Sequence, residues 1–128
     1  MVKAVVAIIA GLAAWVVVIM VAGVIMRSSW PAYASVAEAM TFTLPMMLAR
    51  LSIGAVATLA GGWVTAAIAP RSILVRVIPG LILLAAFIPQ HIMLWNNFPV
   101  WYHLTFLLSL VPLTYLGGTI AREGAPRM

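Results

Sequence analysis

The side chains best suited to bind a ligand lie in one short segment, IPQHIMLWNNFPVWYHLTF, which covers residues 88–106. This segment holds both histidines of the chain, His91 and His103, together with Gln90 and Asn97. Neutral imidazole is an axial ligand of haem, and an ionisable side chain inside a membrane can relay protons. These four residues therefore form a candidate polar layer for haem, a quinone or a transported solute.

The same segment also fits a tight turn that binds nothing. Asn96, Asn97 and Pro99 are typical turn residues, and Trp95 and Trp101 are typical of the aromatic belt at a membrane surface. The histidines would then hydrogen-bond headgroups, water or each other. A transition-metal site needs a third or fourth ligand, and the chain has neither a cysteine nor a third histidine. We therefore expect a helical hairpin with no metal and no cofactor.

Two prolines suggest a cavity near this polar layer. A proline inside a helix removes one backbone hydrogen bond, so Pro89 and Pro112 would free the carbonyls of Ala85 and Leu108. Freed carbonyls could line a small polar cavity for a quinone, a lipid head or an ion. Prolines are also ordinary in membrane helices, where neighbouring groups satisfy the freed carbonyls.

The composition shows what kind of elements must position these residues. Of the 128 residues, 66% are hydrophobic and 7% are charged, and the mean hydropathy is +1.19. A soluble domain has about 25% charged residues, so this chain is predicted to be an all-α integral membrane protein. Its net charge of +5 does not indicate nucleic-acid binding, because the basic residues are scattered singly and form no patch along a phosphate backbone.

Four apolar segments are long enough to cross a bilayer, which takes about 20 residues. They are Ala4–Met26, Met46–Ala69, Val77–Trp95 and Val100–Ile120. Every connection but the first is short, which predicts one domain in which sequential helices pack as antiparallel neighbours. The first segment exceeds the apolar core of a signal peptide, roughly 7–15 residues, and we interpret it as a retained helix.

The first connection is predicted to contain a short interfacial helix. The sequence SVAE, Ser35 to Glu38, matches a capping box, which predicts a helix near Val36–Thr43. Pro45 would then bend the chain before the second span. Glu38 is either part of this cap or a functional carboxylate that faces the aqueous side.

Small residues recur in the second and fourth spans and predict close helix packing. Stripes of small residues let helix backbones approach each other in lipid. Thr58, Gly61 and Gly62 recur in the same order and spacing in the fourth span, which is consistent with a weak internal repeat of the kind found in transporters. The glycines predicted to pack against neighbouring helices are Gly54, Gly61, Gly62, Gly117 and Gly118.

Basic and aromatic residues predict the orientation. Cytoplasmic segments carry an excess of lysine and arginine. With the N-terminus inside, the inner side holds Lys3, Arg71, Arg76, Arg122 and Arg127, and the outer side holds Arg27 and Arg50, of which Arg50 can snorkel outward. Both termini are therefore predicted to be cytoplasmic. The predicted interfacial anchors are Trp30, Trp95, Trp101 and Tyr102.

The stretches GGWVTAAIAP, WNNFPVWYHL and LVPLTYLGG resemble a widespread set of small, uncharacterised four-helix bacterial inner-membrane proteins. This resemblance implies the fold and the bacterial inner membrane, and it implies no activity. The chain is also similar to the small multidrug-resistance transporters in length and number of spans. Their function rests on a buried carboxylate in the first helix, whereas Glu38 and Glu123, the only acids here, lie outside the spans.

We therefore expect a non-catalytic accessory or scaffolding subunit of a larger inner-membrane complex. Its expected partners are the lipid bilayer and either other membrane subunits or further copies of itself, with no nucleic acid. The first alternative is a small oligomeric transporter or channel that uses the polar layer near the outer interface. A haem- or quinone-binding electron carrier is the second alternative, and no set of nucleophile, base and acid suggests an enzyme.

Overall fold

The computed structural model describes residues 2–69 and 73–124. Its five α-helices are α1 (Val2–Ser29), α2 (Pro31–Val36), α3 (Leu44–Ile68), α4 (Ile73–Met93) and α5 (Val100–Gly124), with a 3₁₀ turn at Trp95–Asn97. All of these except α2 are long and apolar enough to cross a membrane. The predicted all-α fold with four membrane-spanning helices and a short helix between the first two is confirmed.

The bounds predicted for the short helix are wrong, because α2 begins at Pro31 and ends where the predicted helix was to start. Proline favours the first helical position, since its fixed φ suits a helix and its missing N–H has no partner there. The Ser35 hydroxyl donates to the carbonyl of Ala32 at 2.8 Å and caps nothing. Glu38 lies exposed in the turn that follows. Pro45 does not bend a helix, because it lies in the first turn of α3.

Helix α3 packs against α1 in the antiparallel direction. Trp15 Nε1 donates to the hydroxyl of Thr58 at 3.1 Å. One turn earlier in α1, Gly11 lies against Gly61 and Thr65, which are farther along α3. A Cβ on Gly61 would come within 2.9 Å of the Gly11 carbonyl oxygen, so the absence of side chains is what lets the two backbones approach.

The other main neighbour of α3 is α5, and these two helices run parallel. Arg50 meets Tyr102, and Gly62, three turns later, meets Thr114. A Cβ on Gly62 would lie 2.8 Å from the Cα of Thr114, and one on Gly117 would lie 2.9 Å from the carbonyl carbon of Leu59. One glycine of each similar stripe, Gly62 and Gly117, therefore lies in this interface and approaches the backbone of the opposite helix.

Helices α4 and α5 pack in the antiparallel direction, and their contact contains a buried arginine. Arg76 is 3% exposed. Its guanidinium donates to the Thr119 hydroxyl at 3.2 Å and lies 4.9 Å from the centre of the Tyr115 ring. Gly118 leaves room for the aliphatic part of this side chain. Arg76 is thus a packed side chain as well as a basic residue near the end of a span.

Helix α1 has fully buried residues in only the first half of its length. Its buried residues are Ala7, Gly11 and Trp15, and no residue between Val16 and Ser29 is buried in the described structure. Beyond Trp15, α1 makes only partly buried contacts, through Val18 and Ile19 with the core and through Met26 near Tyr33, and a gap remains between α1 and the rest of the bundle. The end of the bundle that carries α2 and the α4–α5 turn is called the loop end below, and the gap opens there.

Candidate functional site

The gap beside α1 is a partly enclosed cavity of about 450 Å³ at the loop end. This volume lies within the range of ligand pockets, roughly 300–1,000 Å³. Its floor is formed by Trp15 and Phe87, whose ring centroids are 5.3 Å apart. Its apolar walls include Ile19, Met20, Val24, Ile53 and Phe106.

Arg50 brings a positive charge to the wall of this cavity. It lies about 9 Å along α3 from the first residue by the helical rise. Its guanidinium donates to the hydroxyls of Tyr33 at 2.7 Å and Tyr102 at 3.2 Å, and it lies 4.6 Å from the centre of the Phe42 ring. A guanidinium has five N–H groups, so the remaining ones are available to a ligand.

No carboxylate neutralises this charge among the described residues. The two acids of the chain, Glu38 and Glu123, are exposed and lie outside the cavity wall. A second cation, Arg27, lines the cavity from the last turn of α1. A charge placed inside a membrane is expensive unless it is paired. The cavity is therefore electrostatically suited to an anion.

A pair of histidines lies beside Arg50. The Nδ1 atoms of His91 and His103 are 2.7 Å apart. His103 is fully buried, its Nε2 is 3.2 Å from the carbonyl oxygen of Trp95, and its ring stacks on the Trp95 indole with centroids 4.7 Å apart. His91 is half-buried and lines the cavity. The sequence left open whether the histidines hydrogen-bond headgroups, water or each other. In the structure they contact each other.

The predicted polar layer is only partly assembled at the cavity. Gln90 and His91 line it, while His103 lies behind His91. Asn97 is exposed in the 3₁₀ turn and does not reach the cavity. The structure thus divides this layer into a part that faces the cavity and a part that lies in or against the turn.

The predicted anchors also differ in their positions. Trp95 and Trp101 are exposed, as a membrane belt requires, and Trp30 is half-buried. Tyr102 is instead 5% exposed and accepts a hydrogen bond from Arg50. Its side chain therefore forms part of the cavity wall, where its hydroxyl bonds the guanidinium of Arg50.

The cavity does not arise from the prolines. Ala85 and Leu108, whose carbonyls Pro89 and Pro112 were expected to free into a cavity, are both exposed and absent from its lining. The cavity lies where α1 packs only loosely on the bundle beyond Trp15.

Arg50 and Tyr33 are site residues that were not predicted from the sequence. An arginine inside an apolar span is by default a functional candidate, and this signal was available for Arg50. Nothing comparable marks Tyr33, because its position depends on α2 starting at Pro31.

The imidazole pair is not arranged around a metal ion. A tetrahedral metal bound at about 2.0–2.1 Å holds two ligating nitrogens roughly 3.3 Å apart, whereas these Nδ1 atoms are in direct hydrogen-bond contact at 2.7 Å. The described residues contain no group of three side chains able to hold a metal ion.

Comparisons with family models, curated proteins and solved structures find no match for this chain. The cavity offers a tyrosine-held guanidinium, a second arginine, a half-buried imidazole and apolar walls. These groups can bind an anion and cover an apolar chain.

Proposed function

We propose that this protein is a non-catalytic multi-pass membrane protein whose cavity binds the anionic head of an amphipathic molecule. The observation that carries the proposal is Arg50, a cation within a membrane-spanning helix that faces a cavity and has only tyrosine hydroxyls as described hydrogen-bond partners. Hydrogen bonds between arginine and an anionic oxygen are strong because they are charge-assisted. The apolar walls beside Arg50 would cover the hydrocarbon part of the same ligand.

Binding is favoured over catalysis by the residues that line the cavity. Covalent catalysis needs a nucleophile beside a base that is held by a third group. Among the described lining residues there is no serine, threonine, cysteine or carboxylate. The two tyrosine hydroxyls accept hydrogen bonds from Arg50, which makes them part of the cation's support.

Native mass spectrometry of the detergent-solubilised chain tests the proposal. The protein is offered equal amounts of phosphatidylglycerol and phosphatidylcholine with identical acyl chains. We expect retained lipid to be mainly phosphatidylglycerol, because only this lipid has a net negative charge. Equal retention of the two lipids would remove the case for an anion site.

A second proposal is that the chain is an accessory or scaffolding subunit of a larger membrane complex. It is supported by α1, which uses only Ala7, Gly11 and Trp15 as buried contacts and leaves most of its surface free. We expect larger membrane polypeptides to copurify in mild detergent, and to do so equally when His91→Ala and His103→Ala are combined. Purification of a homo-oligomer alone, with solute flux in liposomes that the double substitution abolishes, would favour the transporter or channel instead.

We also propose that the membrane is the bacterial inner membrane and that both termini are cytoplasmic. The excess of basic residues on the side of the termini supports this orientation. Alkaline phosphatase is active only after export, so a fusion after Arg127 is expected to be inactive, and a fusion within the α4–α5 turn after Asn97 should be active. The reverse pattern would invert the topology.

A further inference from the structure

The hydrogen bonds of the two histidines fix where their protons lie. A carbonyl oxygen only accepts, so His103 Nε2 must donate to Trp95 across 3.2 Å. A neutral imidazole has a single N–H, which makes His103 Nδ1 an acceptor. The 2.7 Å contact between the two Nδ1 atoms then requires His91 Nδ1 to donate. With both rings neutral, His91 therefore keeps a lone pair on Nε2.

This lone pair is available to a ligand in the cavity. His91 lines the cavity, and no described residue hydrogen-bonds its Nε2. The ring is held in place by His103 and by Phe106, on which it stacks with centroids 4.9 Å apart. The cavity therefore contains a fixed hydrogen-bond acceptor as well as cationic donors.

Arg50 and His91 are positioned by a common residue. Arg50 Nε donates to the Tyr102 hydroxyl at 3.2 Å, and the His91 ring is stacked with the Tyr102 ring at a centroid distance of 6.4 Å. The donor, Arg50, and the acceptor, His91, thus belong to the same part of the cavity wall. One headgroup that fits both must combine an anionic oxygen with a hydroxyl that it can donate.

Resting on the proposed function, we infer that the ligand is a lipid phosphate monoester, bound by Arg50 through an anionic oxygen and by His91 Nε2 through its remaining acidic proton. A monoester loses its second proton at about pH 6, so around that pH it can share one proton with an imidazole. A phosphodiester group has only acceptor oxygens and no acidic proton to share, and a diester such as phosphatidylmethanol has no hydroxyl elsewhere in its head. No bond is made or broken, and the proton lies between the phosphate oxygen and Nε2.

Native mass spectrometry with three lipids of identical acyl chains tests this inference. Phosphatidic acid is the monoester, phosphatidylmethanol is an anionic diester whose head has no hydroxyl, and phosphatidylcholine is the zwitterionic reference. We expect the wild-type protein to retain phosphatidic acid about fivefold more than phosphatidylmethanol, the size of effect expected from one net hydrogen bond. The substitution His91→Asn keeps a donor for His103 and removes the acceptor at Nε2, and His91→Phe keeps the ring stacking. Both variants should lose the fivefold preference while still retaining phosphatidylmethanol over phosphatidylcholine.

Each other result has a distinct meaning. A preference for phosphatidic acid that persists in both His91 variants would overturn the inference and attribute the preference to charge alone. Equal retention of all three lipids by the wild type would overturn the proposed function itself. Inorganic phosphate is the competitor that identifies the source of the headgroup. We expect it to leave bound phosphatidic acid in place at equal concentration, and displacement would assign the site to a soluble phosphate instead of a lipid.

Discussion

Replacing Arg50 with glutamine is expected to lower the retention of phosphatidylglycerol relative to phosphatidylcholine by about tenfold or more, the effect of losing a hydrogen bond to a charged group. Arg50 lies in a membrane-spanning helix, faces the cavity and has no carboxylate beside it among the described residues. Glutamine keeps a polar side chain and removes the charge. Native mass spectrometry of the variant in the same lipid mixture measures the change.

Two further substitutions show whether the effect belongs to the site. Arg50→Lys keeps the charge and loses the planar fork that reaches both tyrosine hydroxyls, so an intermediate preference is expected. Arg122→Gln removes the same charge from an exposed position in the last turn of α5. Because α5 begins at the loop end, this position lies at the opposite end of the helix. This variant should retain lipid like the wild type. A normal preference in Arg50→Gln would mean that the anionic head binds elsewhere.

The substitution Gly62→Leu is expected to have the largest effect on stability. A Cβ at this position would lie 2.8 Å from the Cα and the carbonyl carbon of Thr114. These are backbone atoms, so they cannot rotate away, and a leucine must push α3 and α5 apart. Overpacking costs typically about 1–3 kcal/mol, and we expect the upper part of this range. Thermal unfolding of the purified protein in one detergent measures the loss.

Gly23→Leu is the matched control for this substitution. A Cβ on Gly23 meets nothing within 4 Å because this residue lines the cavity, so in lipid-free protein the same leucine has open space there. It should unfold at the wild-type temperature or above it, because leucine favours a helix more than glycine does. Equal unfolding temperatures for the two variants would contradict the close approach of α3 and α5.

The sequence predicted the helices well, because the signal for a span is local. A run of about 20 apolar residues is sufficient to identify one, and the four runs correspond to α1, α3, α4 and α5. The glycine stripes predicted close contacts, and Gly62 and Gly117 make them. A stripe does not identify the helix that it meets. The parallel contact of α3 with α5 therefore emerged only from the structure.

The site was predicted less well, because it depends on positions that local patterns do not determine. The pattern at Ser35 to Glu38 is a valid cap signal, yet Pro31 starts the helix earlier. Because α2 starts at Pro31, Tyr33 lies within this helix, where it is buried. Its hydroxyl accepts a hydrogen bond from Arg50. The cavity itself lies where α1 packs only loosely on the bundle. This helix is apolar on all sides, so its sequence does not show which half is packed.

The loose packing of α1 beyond Trp15 also links occupancy of the cavity to the integrity of the protein. A molecule in the cavity contacts α1 on one side and α3 and α4 on the other. It is therefore held fully only while α1 is docked, and by mass action it stabilises the docked state. At a free concentration one hundred times its dissociation constant, such a ligand contributes about 2.7 kcal/mol. Detachment of α1, and with it degradation by membrane proteases, would then become slower as the supply of the lipid rises.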